Sequence, residues 1–377
     1  MTDLPMIWFD RPPDSSIVDL IKGRALLTWP NADDPLDGID QAEGAVVGAS
    51  IIYDRNVFSV SPNLRVLSRA GIGFDNVVLS DATEFGIAAC NTPDGPTIST
   101  AEHALALIFA VTKGLKQSEH RLHRQEGNYP ASHDALELAG ASLTLVGLGR
   151  IASRVATVAL AAGMHVTAYD PFESDQRFEE LGVRRAPNLI EAVRKAQIIS
   201  VHAPLTDNTR HLIGDELINL MADGVFIVNT ARGGLVDDSA LLRALKSGKV
   251  RAAGLDVTDP EPLPQGHPLL EHDNVLVTPH VASATGAGRR RILFIGVLYR
   301  NCYGWGHRFH SDQRSWALTL FGKSWFGDND GSPAGDRPCS AVRPLHLLHH
   351  YRLAGRHSIH ALVHFRRLYG HRALSYQ

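Results

Sequence analysis

The chain has 377 residues, enough for two domains of ordinary size. Its formal net charge of −3 carries no basic excess of the kind that draws nucleic acid or an anionic membrane, so neither is expected as a partner. Three cysteines, Cys90, Cys302 and Cys339, stand at no metal-ligand or disulfide spacing, and no apolar run reaches the ~18 residues of a membrane span. With an opening stretch, MTDLPMIWFDRPPDSS, that lacks the order of a secretory signal, these features lead to the expectation of a cytoplasmic protein without bound metal.

In chain order, short β-rich runs closed by Pro, Gly, Asp or Asn alternate with helical patterns, which predicts parallel sheets of the α/β class. The first set is Met6–Asp10, Arg24–Pro30, Gly44–Ala49, Arg65–Ala70 and Ile87–Thr92, a small open sheet with helices on both sides. The segment from Ala101 to Gln125, opening AEHALALIFAVTKGL, reads as one long helix capped by Thr100. Its apolar side chains are too many for a surface stripe, so burial against a neighbouring domain or a second subunit is expected. A second set follows, with strands at Ser142–Gly147, His165–Asp170, Ile198–Ala203, Gly224–Thr230, Arg251–Val257 and Asn274–Thr278. Helices at Arg150–Ala162, Asn188–Ala196, Gly214–Met221 and Asp238–Ser247 connect them. Six strands with intervening helices match a doubly wound dinucleotide-binding domain.

The run TLVGLGRIASRVA follows an apolar strand and opens an Ala-rich helix. Gly147 permits the tight turn, Gly149 lets backbone approach a pyrophosphate at the helix N-terminus, and Ala152 stands for the third small residue. Asp170 ends the next strand about 20 residues on, where an acid that accepts from ribose hydroxyls belongs, and no Arg follows to welcome a 2′-phosphate. NAD is therefore expected rather than NADP. The same Asp170 also suits a plain Asp-Pro turn.

Three later segments concentrate chemistry: NTARGGLVDDSAL (229–241), GLDVTDPEPLP (254–264) and NVLVTPHVASAT (274–285). Together with GLGRIA, VHAPLTDNTRHLI (201–213) and RAGIGFDNV (69–77), they resemble the D-isomer-specific 2-hydroxyacid dehydrogenase family, in its phosphoglycerate dehydrogenase and hydroxypyruvate reductase-like branch, from about Val46 to Ala284. The resemblance implies a flavodoxin-like substrate domain (1–98), a Rossmann NAD-binding domain (99–285) opened by the long helix, and a homodimer. It also implies hydride transfer between NAD(H) and a small 2-hydroxy or 2-keto acid.

By the same resemblance Arg232 holds the substrate carboxylate, His280 is the general acid–base, and Glu261 hydrogen-bonds that histidine and favours its imidazolium. Gly147, Gly149, Arg150, Ile151, Asp170, His202, Pro204, Thr209, Thr230, Ala231, Arg232, Asp256 and His280 are implied at the cofactor, with Asp256 on the nicotinamide carboxamide. Arg69, Gly71, Ile72 and Gly73 are implied at the substrate, through backbone N–H groups of the loop and the Arg69 cation. His103 falls in the family's AEHAL run and reads as structural. Taken singly, Arg232 could be a helix-entry ion pair, Glu261 a turn residue and His280 a strand-end histidine. An NAD-sensing binding protein on the same scaffold is a second reading.

The resemblance stops after SATGAGRRR, where a helix returning to the first domain is implied. Residues 292–377 hold nine His, three Trp and no Glu and show no sustained period. So abrupt a change in this atypical tail, 286–377, is expected of a frame shift, whose product could be inactive; an unrelated disordered appendage or an added basic module are the alternatives. His346, His349, His350, His357 and His360 match no known ligand spacing.

Overall fold

The structure, a computed structural model, describes residues 4–293. The expectations for the tail beyond residue 293 lie outside the described residues, as do Cys302 and Cys339.

The first sheet contains β1 (Met6–Phe9), β2 (Leu26–Thr28), β3 (Gly44–Val47), β4 (Val66–Arg69) and β5 (Ala88–Asn91), in the spatial order β2-β1-β3-β4-β5. Every pairing is parallel. This is the doubly wound order in which direction reverses between the first and third strands. Trp8, Val47, Tyr53, Phe58 and Leu67 fill one face, and Ile7, Phe9, Ile17 and Ile21 the other.

The second sheet contains β6 (Ser142–Val146), β7 (His165–Tyr169), β8 (Arg184–Arg185), β9 (Ile198–Val201), β10 (Val225–Asn229), β11 (Val250–Leu255) and β12 (Val275–Val277). Its order is β12-β11-β10-β9-β6-β7-β8, again parallel throughout. Counted from β6, that is the mononucleotide-fold order with one strand added at the edge. β9 and β10 are buried along their whole length, as strands covered by helices on both faces must be. Leu143, Leu145, Phe226 and Val228 pack with Leu107, Ile108 and Val155 on one side. Ile199, Val201 and Ile227 pack with Leu217 and Leu241 on the other.

Three expectations are corrected. The long helix is two, Thr97–Thr112 and Leu115–His123, because Gly114 between them takes a left-handed φ of 58° that ends the first. Thr100 lies inside the first of these, whose N-cap is Pro96 with no side-chain cap. The second sheet has seven strands rather than six, since β8 is two exposed arginines with no apolar signal. Elsewhere the boundaries fall close to the expected ones: the fingerprint helix runs Arg150–Ala161, and the helix after β10 runs Asp238–Ser247. Among the described residues no helix is long and apolar enough to cross a membrane.

Candidate active site

The turn after β6 is built for close approach. Gly147 has φ 97°, and a Cβ there would lie 2.8 Å from the His202 carbonyl oxygen, so only glycine fits. A Cβ at Gly149 would meet nothing within 4 Å: open space stands at the N-terminus of the fingerprint helix, where first-turn N–H groups have no intrahelical acceptor. Ala152 is fully buried in the core behind it. Asp170 braces the turn from below: Leu148 N–H donates to one carboxylate oxygen and Phe172 N–H to the other, both at 2.9 Å. The residue is 3% exposed.

The end of β9 lies beside this turn, with that of β10 next in the sheet. His202 lies 2.9 Å from Ser200 Oγ through Nε2, and desolvation holds its imidazole down at about 4, hence neutral at neutral pH. Thr209 Oγ1 donates to the Pro204 carbonyl and accepts from Thr206 N–H, both at 2.7 Å, which fixes the loop after β9. Ala231 N–H donates to Asn229 Oδ1 at 2.9 Å. Thr230 Oγ1 is buried without a partner among the described residues. That orphaned hydroxyl and the open space at Gly149 fit a dinucleotide laid across the strand ends. Arg150, beside that space, pairs instead with Asp94, Nε to Oδ1 at 2.9 Å; Ile151 is half-buried behind it.

The residues implied for catalysis follow the ends of β10, β11 and β12, neighbouring strands of the second sheet. His280 Nδ1 is hydrogen-bonded to Glu261 Oε1. His280 takes a left-handed φ of 53° and donates its N–H to the Asp256 carbonyl at 2.7 Å. Its ring and the Glu261 carboxylate are 39% and 38% exposed, open enough to meet a substrate. Asp256 anchors this loop from beneath: its oxygens accept from Thr278 Oγ1 (2.6 Å), Val281 N–H and Ala282 N–H (both 2.9 Å). His103 Nε2 stands 3.3 Å from the same carboxylate and 2.9 Å from Thr278 Oγ1. Burial pushes the Asp256 carboxyl up, but these donors outweigh it and hold it below its ordinary value. The Asp256 side chain has no exposed surface and lies under the His280 loop. His103 is thereby part of the same scaffold.

Arg232 reaches across to the first sheet. Its Nε donates to Asp75 Oδ2 and its Nη1 to the Ala231 carbonyl, both at 2.8 Å, while Nη2 lies over Gly73. Gly71 departs from expectation because its N–H already donates to Thr92 Oγ1 at 2.8 Å. The N–H groups of Ile72 and Gly73 carry no partner among the described residues. Arg69 donates through Nη1 to the Ala70 carbonyl at 2.8 Å. Burial, and then the neighbouring Arg232, lower its guanidinium to about 10, which leaves it cationic at neutral pH. Asp75, Asp94 and Thr92 were not singled out from sequence. Asp75 stands in the quoted RAGIGFDNV run, but its partner lies 157 positions away.

Comparison with known proteins gives this arrangement its family. Residues 105–282 match the NAD binding domain of D-isomer specific 2-hydroxyacid dehydrogenases. A D-3-phosphoglycerate dehydrogenase of Archaeoglobus fulgidus is 41% identical over 261 residues, 69% of this chain and 48% of that protein. A glyoxylate reductase of Aeropyrum pernix is 39% identical over 250 residues, covering 65% of this chain and 74% of that one. The chain thus spans about half the length of the phosphoglycerate dehydrogenases it matches. Among solved structures, D-lactate dehydrogenase from Aquifex aeolicus, complexed with NAD and lactic acid, superposes with a TM-score of 0.70 at 31% identity. That match covers 79% of this chain and 96% of the other. With its two parallel sheets, its glycine turn and these relatives, the chain belongs to the D-isomer specific 2-hydroxyacid dehydrogenase family.

Proposed function

We propose that the protein is an NAD-dependent oxidoreductase that interconverts a small D-2-hydroxy acid and its 2-keto acid. The observation that carries this is the partly exposed His280–Glu261 pair, with Arg232 on a neighbouring strand end. In the reductive direction the substrate carboxylate is held by Arg232 Nη2 and the N–H groups of Ile72 and Gly73. His280 Nε2 donates a proton to the keto oxygen, and Glu261 stabilises the imidazolium before transfer. In oxidation His280 takes the hydroxyl proton back. NAD(H), when bound, supplies or accepts the hydride. The fingerprint turn, Arg150 and Ile151 hold the pyrophosphate side, Asp170 faces the ribose, and His202, Pro204, Thr209, Thr230 and Ala231 line the remaining wall.

His280→Asn and Glu261→Gln test the roles. Each should lower kcat for keto-acid reduction by ~10²-fold or more while NADH affinity, read by fluorescence, stays within about twofold. If both variants retain turnover, the proton-transfer assignment fails. If the parent chain binds NADH but reduces no keto acid, the NAD-sensing reading takes its place.

We further propose a cytoplasmic homodimer, with substrate domain 1–98 and cofactor domain 99–285. Leu105 is partly buried and Phe109, Leu115 and Leu122 are 41%, 58% and 62% exposed along the paired helices, apolar surface that a second copy would cover. Light scattering that returns the mass of a single chain would contradict the dimer.

A further inference from the structure

The loop proposed to receive the substrate carboxylate is held from behind by the end of β5. Arg69 and Asn91 stand opposite each other where β4 and β5 pair. One further backbone bond, from Thr92 N–H to the Gly71 carbonyl at 2.9 Å, closes the pairing. Side chains take over from there. The Thr92 hydroxyl accepts from Gly71 N–H at 2.8 Å and donates to the Gly71 carbonyl at 3.4 Å. Asn91 Nδ2 donates to the Ile72 carbonyl at 2.7 Å.

These bonds set the direction of the loop's own donors. A peptide unit is planar and trans, so its C=O and N–H point opposite ways. The Gly71 carbonyl shares its unit with Ile72 N–H, and the Ile72 carbonyl shares its unit with Gly73 N–H. With both carbonyls drawn toward β5, both N–H groups turn away from it. Two successive N–H groups turned to one side are the arrangement that makes an anion-binding concavity. Thr92 is fully buried and Gly71 is buried, whereas Ile72 and Gly73 are partly exposed. The Thr92 hydroxyl therefore lies out of a ligand's reach, and the loop in front of it does not.

We infer that Thr92 and Asn91 are positioning residues for the proposed reaction. They act on the substrate through the Gly71–Gly73 backbone, by keeping the Ile72 and Gly73 N–H groups aimed at its carboxylate. The inference rests on the proposed seat of that carboxylate at this loop.

The test compares three variants of the full chain. Thr92→Val keeps the shape of the side chain and removes its hydroxyl, Thr92→Ser keeps the hydroxyl, and Asn91→Ala removes the second donor. With NADH saturating, Thr92→Val and Asn91→Ala should each raise KM for hydroxypyruvate or glyoxylate by ~10-fold or more. Their kcat should change by less than about threefold and their NADH affinity by less than about twofold, and Thr92→Ser should stay near the parent. A role confined to stability would lower the melting temperature and leave KM unchanged, and that result would overturn the inference. Loss of NADH affinity in step with the rise in KM would overturn it as well. Should Thr92→Val fail to fold, Asn91→Ala, at a half-buried side chain, decides the matter by the same readings.

Calorimetry with oxamate, a carboxylate that accepts no hydride, separates this outcome from failure of the proposed reaction. With NADH present, oxamate should bind Thr92→Val and Asn91→Ala ~10-fold or more weakly than the parent. If that holds in a chain that turns over no keto acid, the positioning role stands and the hydride-transfer reading falls. If oxamate binds parent and variants alike, or does not bind the parent, the positioning role falls whatever the turnover.

Discussion

At Gly73 the absence of one methyl group decides where the Arg232 guanidinium sits. Gly73→Ala would put a Cβ 1.3 Å from Arg232 Nη2, so the guanidinium must leave its place beside Asp75. Keto-acid KM is predicted to rise ~10-fold or more with NADH affinity retained. An unchanged KM would show that Arg232 is not the carboxylate clamp. His202 carries a pH signature. Its folded value of about 4 lies below the ordinary 6.5, so between the two the unfolded chain binds the extra proton. The contribution is complete above about 6.5 and is lost as pH falls toward 4, at up to ~1.4 kcal/mol per unit. Thermal melts of His202→Gln should show a flatter acid limb than the parent; identical limbs would contradict the assignment. The residues proposed for catalysis were legible because each sits in a short motif at a strand end. The bracing of the His280 loop by Asp256 was not legible, since its donors Thr278, Val281 and Ala282 lie 22 to 26 positions away.

At the scale of elements, the glycine fingerprint and the buried strands could be read because their signals are local: two glycines after an apolar run, then continuous Val, Ile and Phe. The break at Gly114 could not, because apolar residues continue across it and glycine alone does not end a helix. What fixes the second helix is distant. Lys116 Nζ donates to the carbonyls of Leu270, His272 and Val275, and Arg124 and His120 hold Asp273. Lys116→Met should therefore speed amide exchange across residues 115–123 by ~10-fold or more without affecting NADH binding. Unaltered exchange would mean that the Asp273 pairs suffice. β8 was missed for the opposite reason: its two arginines lie exposed at the sheet edge, one stacked over Phe178, and carry no pattern a strand would require.

For the molecule as a whole, two ion pairs join the loops of the first sheet to those of the second: Arg232 with Asp75 and Arg150 with Asp94. Neither could be read from sequence, because only the fold brings the partners within reach. Both set a cation of the proposed ligand sites against a carboxylate of the other sheet, so an anion bound there would compete with the pair. The central claim is hydride transfer to a 2-keto acid, and the most direct test is the fall of NADH absorbance. The purified full chain is mixed with hydroxypyruvate, glyoxylate, pyruvate or 3-phosphohydroxypyruvate in turn. The account predicts NADH oxidation with at least one of them, lost by ~10²-fold or more in His280→Asn. A folded chain that binds NADH and oxidises it with none of the four, or a His280→Asn variant as active as its parent, would contradict it.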